Sequence, residues 1–293
     1  MPLKDQLLAV LVVVIWGTNF VVVDEGLDGV PPLLFVAMRF VVVLLPAVFL
    51  VKRPAARWQD VALVGAFMSF GQFGLLYLAL AAGMPPGLAS LVLQAQVLFT
   101  VLIATLSLGE RPTRRQVVAI GIGAVGLAVV GFGRSATTPL VALLLTLAAA
   151  LSWAIGNVLS RRIRSASGLS LTVWSAVWVP VPMFLLSLVV DGPDEVGHAL
   201  THLPATAIWA TFYTAYLASL VGYGTWNLLL GRHPAAAVVP FALLVPVVGM
   251  LAAWLVQGET PNLAETVGGV LLLVGVAATT LRTRTRAREP ARV

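Results

Sequence analysis

No cysteine occurs in the 293 residues, which excludes disulfides, thiolate metal sites and a cysteine nucleophile and leaves redox compartment unread. Charge is nearly as scarce, at 10% Asp, Glu, Lys and Arg against about 25% in soluble chains. The three histidines, His198, His202 and His233, all fall between apolar runs. Without a histidine-glutamate metal motif or a nucleophile beside a base, an intramembrane hydrolase or transferase is disfavoured. No Asp or Glu lies in the middle of an apolar run. A proton relay, or an exporter that holds a cation on a buried carboxylate, is disfavoured for that reason. No cofactor or metal is expected.

What remains is apolar: 59% hydrophobic residues and a mean hydropathy of +0.99. The net charge of +6 is no nucleic-acid footprint, because the basic residues sit in short loops and a tail rather than on an aromatic-studded face. A bilayer core needs roughly 20 apolar residues per helical crossing. Ten stretches qualify, near 6–23, 32–51, 60–82, 86–108, 116–133, 140–160, 171–190, 205–228, 235–256 and 263–281. All ten are expected as helices, since isolated strands cannot satisfy their backbones in lipid. The first follows Lys4 but ends in Asp24-Glu25 rather than a small-residue cleavage site, so it reads as a span and not a signal peptide.

Loop charges alternate in sign. Lys52, Arg53 and Arg57 follow the second span, Arg111, Arg114 and Arg115 the fourth, Arg161, Arg162 and Arg164 the sixth, Arg232 the eighth, and Arg282, Arg284, Arg286, Arg288 and Arg292 the tenth. Opposite them lie Asp24, Glu25, Asp28, Asp191, Asp194, Glu195 and Glu259, with Arg134 alone among them. The positive-inside rule then puts both termini in the cytoplasm. "LGERPT" at 108–113 and "QGETPN" at 257–262 place Glu110 and Glu259 149 residues apart, an offset at which Tyr77 meets Trp226 and Pro85 meets Pro234. A looser match pairs "WGTN" from Trp16 with "WAIGN" from Trp153. Five spans per unit is odd, so the second unit is inverted. The expected fold is an all-α integral membrane protein of ten helices in two inverted five-helix repeats, 1–134 and 135–282, with a basic tail at 283–293. Inverted repeats of this kind typify secondary carriers, with the site near the midplane between the halves.

Polar groups inside the spans are the site candidates. Arg39 lies about 11 Å below the span boundary at 1.5 Å per residue, where a charge faces a cavity or partner, snorkels, or bridges carbonyls. Trp16 and Asn19 share a face of the first span, as do Trp153 and Asn157 in the sixth. In the eighth span Tyr213, Tyr216, Tyr223 and Asn227 fall within about 80° on an ideal helix. Gln94 and Gln96 are about 200° apart, so one is expected to line the pathway and the other to tie neighbouring helices, with the sequence not choosing. Gln72 in the third span is a further candidate. Pro180 and Pro182 in the seventh span, and Pro240 and Pro246 in the ninth, are expected to bend or interrupt their helices. The fourth span has no matching prolines, so the repeats are not functionally identical.

Several stretches carry a family likeness: "VVVIWGTNFVVVDEGL", "PPLLFVAMRF", "GMPPGLASLVLQAQVLFT", "LTLAAALSWAIGNV", "LVGYGTWNLLLGR" and "LLVPVVGMLAA". With them the chain resembles the EamA-type branch of the drug/metabolite transporter superfamily from about residue 5 to 280, most closely bacterial inner-membrane O-acetylserine/cysteine exporters. The resemblance implies export of those or related amino acids. Asp24-Glu25 stands where that branch carries a basic residue, so the outer mouth is more acidic. With no mid-membrane acid, a net-neutral zwitterion fits best, its carboxylate meeting Arg39 or helix-end amides and its ammonium meeting amide oxygens and aromatic faces. The expected partners are that zwitterion and the lipid bilayer, with the chain a monomer or homodimer. The alternatives are an exporter of aromatic or threonine-like amino acids or other small metabolites, and a passive channel.

Overall fold

A computed structural model describes residues 1–109, 112–134, 138–163 and 168–280, less the side chains of residues 235, 236 and 280. The expected boundary at 134/135 adjoins an undescribed stretch. Glu110, Arg111, Arg164 and the tail with Arg282, Arg284, Arg286, Arg288 and Arg292 lie outside the described residues. Eight helical runs are long and apolar enough to cross a membrane. Seven of them are α1 Leu3–Gly26, α2 Pro32–Leu50, α3 Trp58–Ala81, α4 Pro86–Leu108, α5 Arg114–Gly133, α6 Leu140–Arg162 and α7 Gly168–Val190. The eighth helix, α8, runs unbroken through Ala205–Phe212, Tyr213–Tyr223 and Gly224–Arg232, its tyrosines and glycines diluting its hydropathy. α9, which completes the eight, is split into Ala235–Ala242 and Val245–Gln257, and α10, Leu263–Thr280, is shorter. The amphipathic helix Pro193–Thr201 joins α7 to α8. Among the described residues there is no strand. The chain is an all-helical membrane protein.

The two "GE" motifs are helix punctuation. Gly109 and Gly258 take φ of 66° and 69°, a left-handed geometry that glycine ends helices with at little cost. Four residues on, Thr113 Oγ1 accepts from Gln116 N while Gln116 Oε1 accepts from Thr113 N, a capping box opening α5. The same box opens α10: Asn262 Oδ1 accepts from Glu265 N, and Glu265 Oε2 from Asn262 N. Orphan amides at both helix starts are thereby satisfied.

Irregularities also recur at the repeat offset. α3 is π-helical over Gly65–Gly71 and α8 over Tyr213–Tyr223. α4 breaks at Leu93–Gln94 and α9 at Leu243–Leu244, each through bonds three residues back, such as Gln94 N to Leu91 O at 3.0 Å and Leu244 N to Phe241 O at 3.0 Å. Proline accompanies the break in α9, but α4 breaks without one. Tightened three-residue bonds suffice, so the absence of proline does not make the fourth spans differ here. α7 is interrupted just before Pro180, where the prolines predict it.

The halves interlock. α1 packs on α8 and α9, and α6 correspondingly on α3 and α4, so the first helix of each repeat lies in the other. α5 and α10 press together through glycine: a Cβ on Gly126 would stand 2.6 Å from Gly268 O, and one on Gly268 2.6 Å from Gly126 O. Small residues allow such backbone approach in lipid. Gly126→Val should therefore cost about 1–3 kcal/mol by overpacking. Gly121→Val, with nothing within 4 Å, should cost far less. Thermal unfolding of the two detergent-solubilised variants compares them.

Candidate functional site

The π segments create the site. Widening a helical turn leaves carbonyls that must find donors away from water. Trp16 Nε1 of α1 donates to Ala218 O at 2.9 Å, and Ser152 Oγ of α6 donates to Phe67 O at 2.7 Å. Gly222 provides the space over which the Trp16 indole lies. Next to Ala218, Ser219 Oγ accepts from Arg39 Nη2 at 3.2 Å. Trp16 and Arg39 are thus anchored on consecutive residues of α8.

Arg39 is 2% exposed. Its Nη1 donates to Tyr77 OH at 2.9 Å, and its guanidinium carbon lies 4.2 Å from the Phe73 ring centroid. Nε has no partner, and among the described residues no carboxylate is within ion-pair distance. Neutral hydroxyls and an aromatic face hold a full charge. The Tyr223 and Trp226 rings lie 5.1 Å and 5.3 Å from that of Trp16. One helical turn along α1, Asn19 Oδ1 is buried without a partner. Thr18 and Tyr213 hydroxyls bond at 2.6 Å, and Tyr213 also donates to Ile15 O at 3.0 Å.

A second group lies between α4 and α6. Asn157 Nδ2 donates to Gln96 Oε1 at 3.0 Å. Gln94, at the α4 break, reaches Ala242 O beside the α9 break at 3.5 Å. Each glutamine therefore points toward the other repeat. At the 149-residue offset Gln96 corresponds to Val245. The second repeat offers no amide in the place where Asn157 finds one, and Asn19 is left unpaired.

The other candidates are dispersed. Trp153 is half-buried against the main core, and Gln72 is buried directly after the α3 π segment. Asn227 Nδ2 donates to its own turn at Tyr223 O. Tyr216 is 38% exposed and stacks on Phe212, apart from Tyr213 and Tyr223. The single stripe expected on an ideal helix is divided by the wider π turns. Sequence reasoning missed Tyr77, Phe73, Ser219, Thr18 and Trp226 as site residues. Only Tyr77 and Trp226 had a signal, as an aromatic pair at the repeat offset.

All of Pro86–Val92 in α4 is buried, whereas Ala95–Leu108 buries only Ala95, Leu98 and Ala104. The half-exposed residues of that second half include Gln96 and Thr100, and Asn157 opposite is half-exposed too. Amides do not face hydrocarbon by preference, so the exposure marks a wet cleft. α4 is thus buried over the half nearer Asp24 and Glu259 and partly exposed over the half that runs toward the arginine-rich end.

The sequence model described as "EamA-like transporter family" matches residues 4–132 and again 140–281. The chain belongs to the EamA-like transporter family. It is 42% identical over 283 residues, 94% of each chain, to a protein of Escherichia coli K12 named "Probable amino-acid metabolite efflux pump". A Streptantibioticus cattleyicolor protein named "Probable terminal-alkyne amino-acid exporter" is 30% identical over 96% of this chain and 94% of its own. A solved crystal structure superposes with a TM-score of 0.61 over 94% of this chain and 97% of that one, at 20% identity, and shares the fold. The transporter is a multi-pass membrane protein, and the names of these two relatives point to small-molecule export.

Coupling across the second group is measurable. Gln96→Leu and Asn157→Leu should show an interaction energy of about 0.6 to 1.7 kcal/mol in a double-mutant cycle on unfolding midpoints. Asn19→Leu, lacking a partner, should add independently to Gln96→Leu.

Proposed function

We propose that the transporter exports small zwitterionic amino acids from the bacterial cytosol by alternating access, with O-acetylserine and cysteine as its substrates. The observation that carries this reading is Arg39, a buried cation lacking a carboxylate and retaining an unused Nε donor. A lone buried charge is costly unless a partner arrives. A substrate carboxylate is that partner. Asn19 Oδ1, an unused buried acceptor, suits the substrate ammonium, and the Trp16, Tyr223 and Trp226 rings offer faces that attract cations. Donor and acceptor orphans are the complement of an α-amino acid and of neither a simple amine nor a simple acid.

The arginine-rich end is assigned to the cytoplasm by the positive-inside rule. Both termini are then cytoplasmic, and the open cleft admits cytosolic substrate past Gln96 and Asn157. Gln72, Gln94, Trp153, Tyr213 and Asn227 remain assigned to the pathway, and Tyr216, with its exposed ring, is the weakest member of the set. Rocking of the repeats at the α4 and α9 breaks moves the opening to the other side. The relatives' printed names support the amino-acid class. An exporter of aromatic or threonine-like amino acids would share these backbone-recognising groups and differ in what surrounds the side chain.

Inside-out vesicles containing the purified chain should accumulate labelled O-acetylserine and cysteine saturably, with acceleration by preloaded unlabelled substrate, which a channel does not give. Arg39→Gln should lower kcat/KM by roughly ten- to a hundred-fold, the loss of a charged hydrogen-bonding partner. The decarboxylated amine of either substrate should not compete. Wild-type rates in Arg39→Gln, or equal competition by the amine, would overturn the site.

A further inference from the structure

We propose that the Glu259 carboxylate is a releasable latch that ties the second repeat to the first turn of α4 and keeps the acidic end of the transporter shut. The inference rests on the exporter reading only for which compartment the acidic end faces.

The latch is built across the repeats. Glu259 follows α9, yet its Oε2 accepts from Gly87 N at 2.9 Å and its Oε1 from Leu88 N at 3.2 Å, both in the first turn of α4. A Cβ on Gly87 would stand 3.0 Å from Oε1, so glycine is what lets the carboxylate sit against the backbone. Both amides lack helical partners at that point, which makes the carboxylate their only polar partner in a buried place. Beside it, Gln257 Nε2 donates to Asp24 Oδ2 at 2.9 Å and Glu25 Oε1 at 2.7 Å. The ends of α1, α4 and α9 are joined here, where α4 is wholly buried.

Burial raises the Glu259 pKa above its usual value against the lowering effect of the two amide bonds, and the charges of Glu265 on α10 and Asp24 on α1 add to the rise. Glu25 is further along α1, and Arg134 is engaged with Gly131 O and Thr138 O. A raised pKa means that the charged carboxylate is held in the closed arrangement at a cost, which the pairing with Gly87 and Leu88 offsets, so the latch is one the protein can release.

The absence of cysteine makes an introduced thiol unique. Ser90→Cys places one in α4 behind the latch, at a position 2% exposed, and Leu91→Cys serves if that variant does not insert. A membrane-impermeant maleimide is applied from each side of sealed vesicles at neutral pH, with rates normalised to the denatured protein. From the acidic-end side, labelling should be slow with Glu259 in place and on the order of tenfold faster with Glu259→Gln, the scale of one charged hydrogen bond, because an amide offers one acceptor to two donors. Glu259→Asp should give an intermediate rate. Equal labelling of the Glu and Gln forms, or access from the arginine-rich side alone, would overturn the proposal. No substrate is used, so a failed latch and a failed exporter assignment give different results.

Discussion

Backbone groups inside a bilayer have no water to fall back on, and that constraint organises this molecule. Two π segments leave carbonyls open in α3 and α8, and the donors come from the opposite repeat: Ser152 for Phe67 and Trp16 for Ala218. The repeats are thereby pinned to each other within their helical spans, where polar groups are hardest to place. Arg39 is a consequence of the same arrangement, since it binds Ser219, next to the carbonyl that Trp16 takes. Features that would be defects in a soluble helix become the framework on which side chains are hung.

Inverted symmetry explains the scaffold, and its violations explain the site. Capping boxes, left-handed glycines, π segments and helix breaks all recur. The polar chemistry does not. Tyr77 receives Arg39 while its counterpart Trp226 packs on Trp16. Asn157 has Gln96, whereas the second repeat carries Val245 at the position equivalent to Gln96 and Asn19 Oδ1 keeps no partner. One amide is satisfied across the repeats, and the other keeps unmet hydrogen-bonding capacity.

Much of the fold was legible because hydropathy and loop charge act over whole segments, so the ten spans and their two sets of loops could be read directly. That Arg39 stands inside an apolar run was legible for the same reason, and the structure buries it. The register of α8 was not. Extrapolating 100° per residue through Tyr213–Tyr223 ignores a π segment that no residue type there announces, and so Tyr216 was grouped with Tyr213 and Tyr223. The break in α4 was equally hidden, since proline was the sign sought and three-residue bonds made the turn without it. Gln96 and Asn157 were separate candidates until packing brought α4 against α6. Glu259 stood out only as a repeat marker, because its partners are backbone amides that a sequence cannot display.

Arg39 also has a consequence for energetics. A carrier whose central cation has no fixed counter-ion is positively charged when empty and neutral at that point when a carboxylate is aboard. Any displacement of Arg39 along the membrane normal during the empty return is then work done with or against the transmembrane potential, which amounts to about 2.3 kcal/mol for a full charge crossing 100 mV. An interior-negative cell draws that charge toward the cytoplasm. Voltage therefore acts on how fast the empty carrier returns, whereas a full cycle with a neutral cargo brings Arg39 back to its starting depth and moves no net charge, so the potential sets a rate and supplies no driving force.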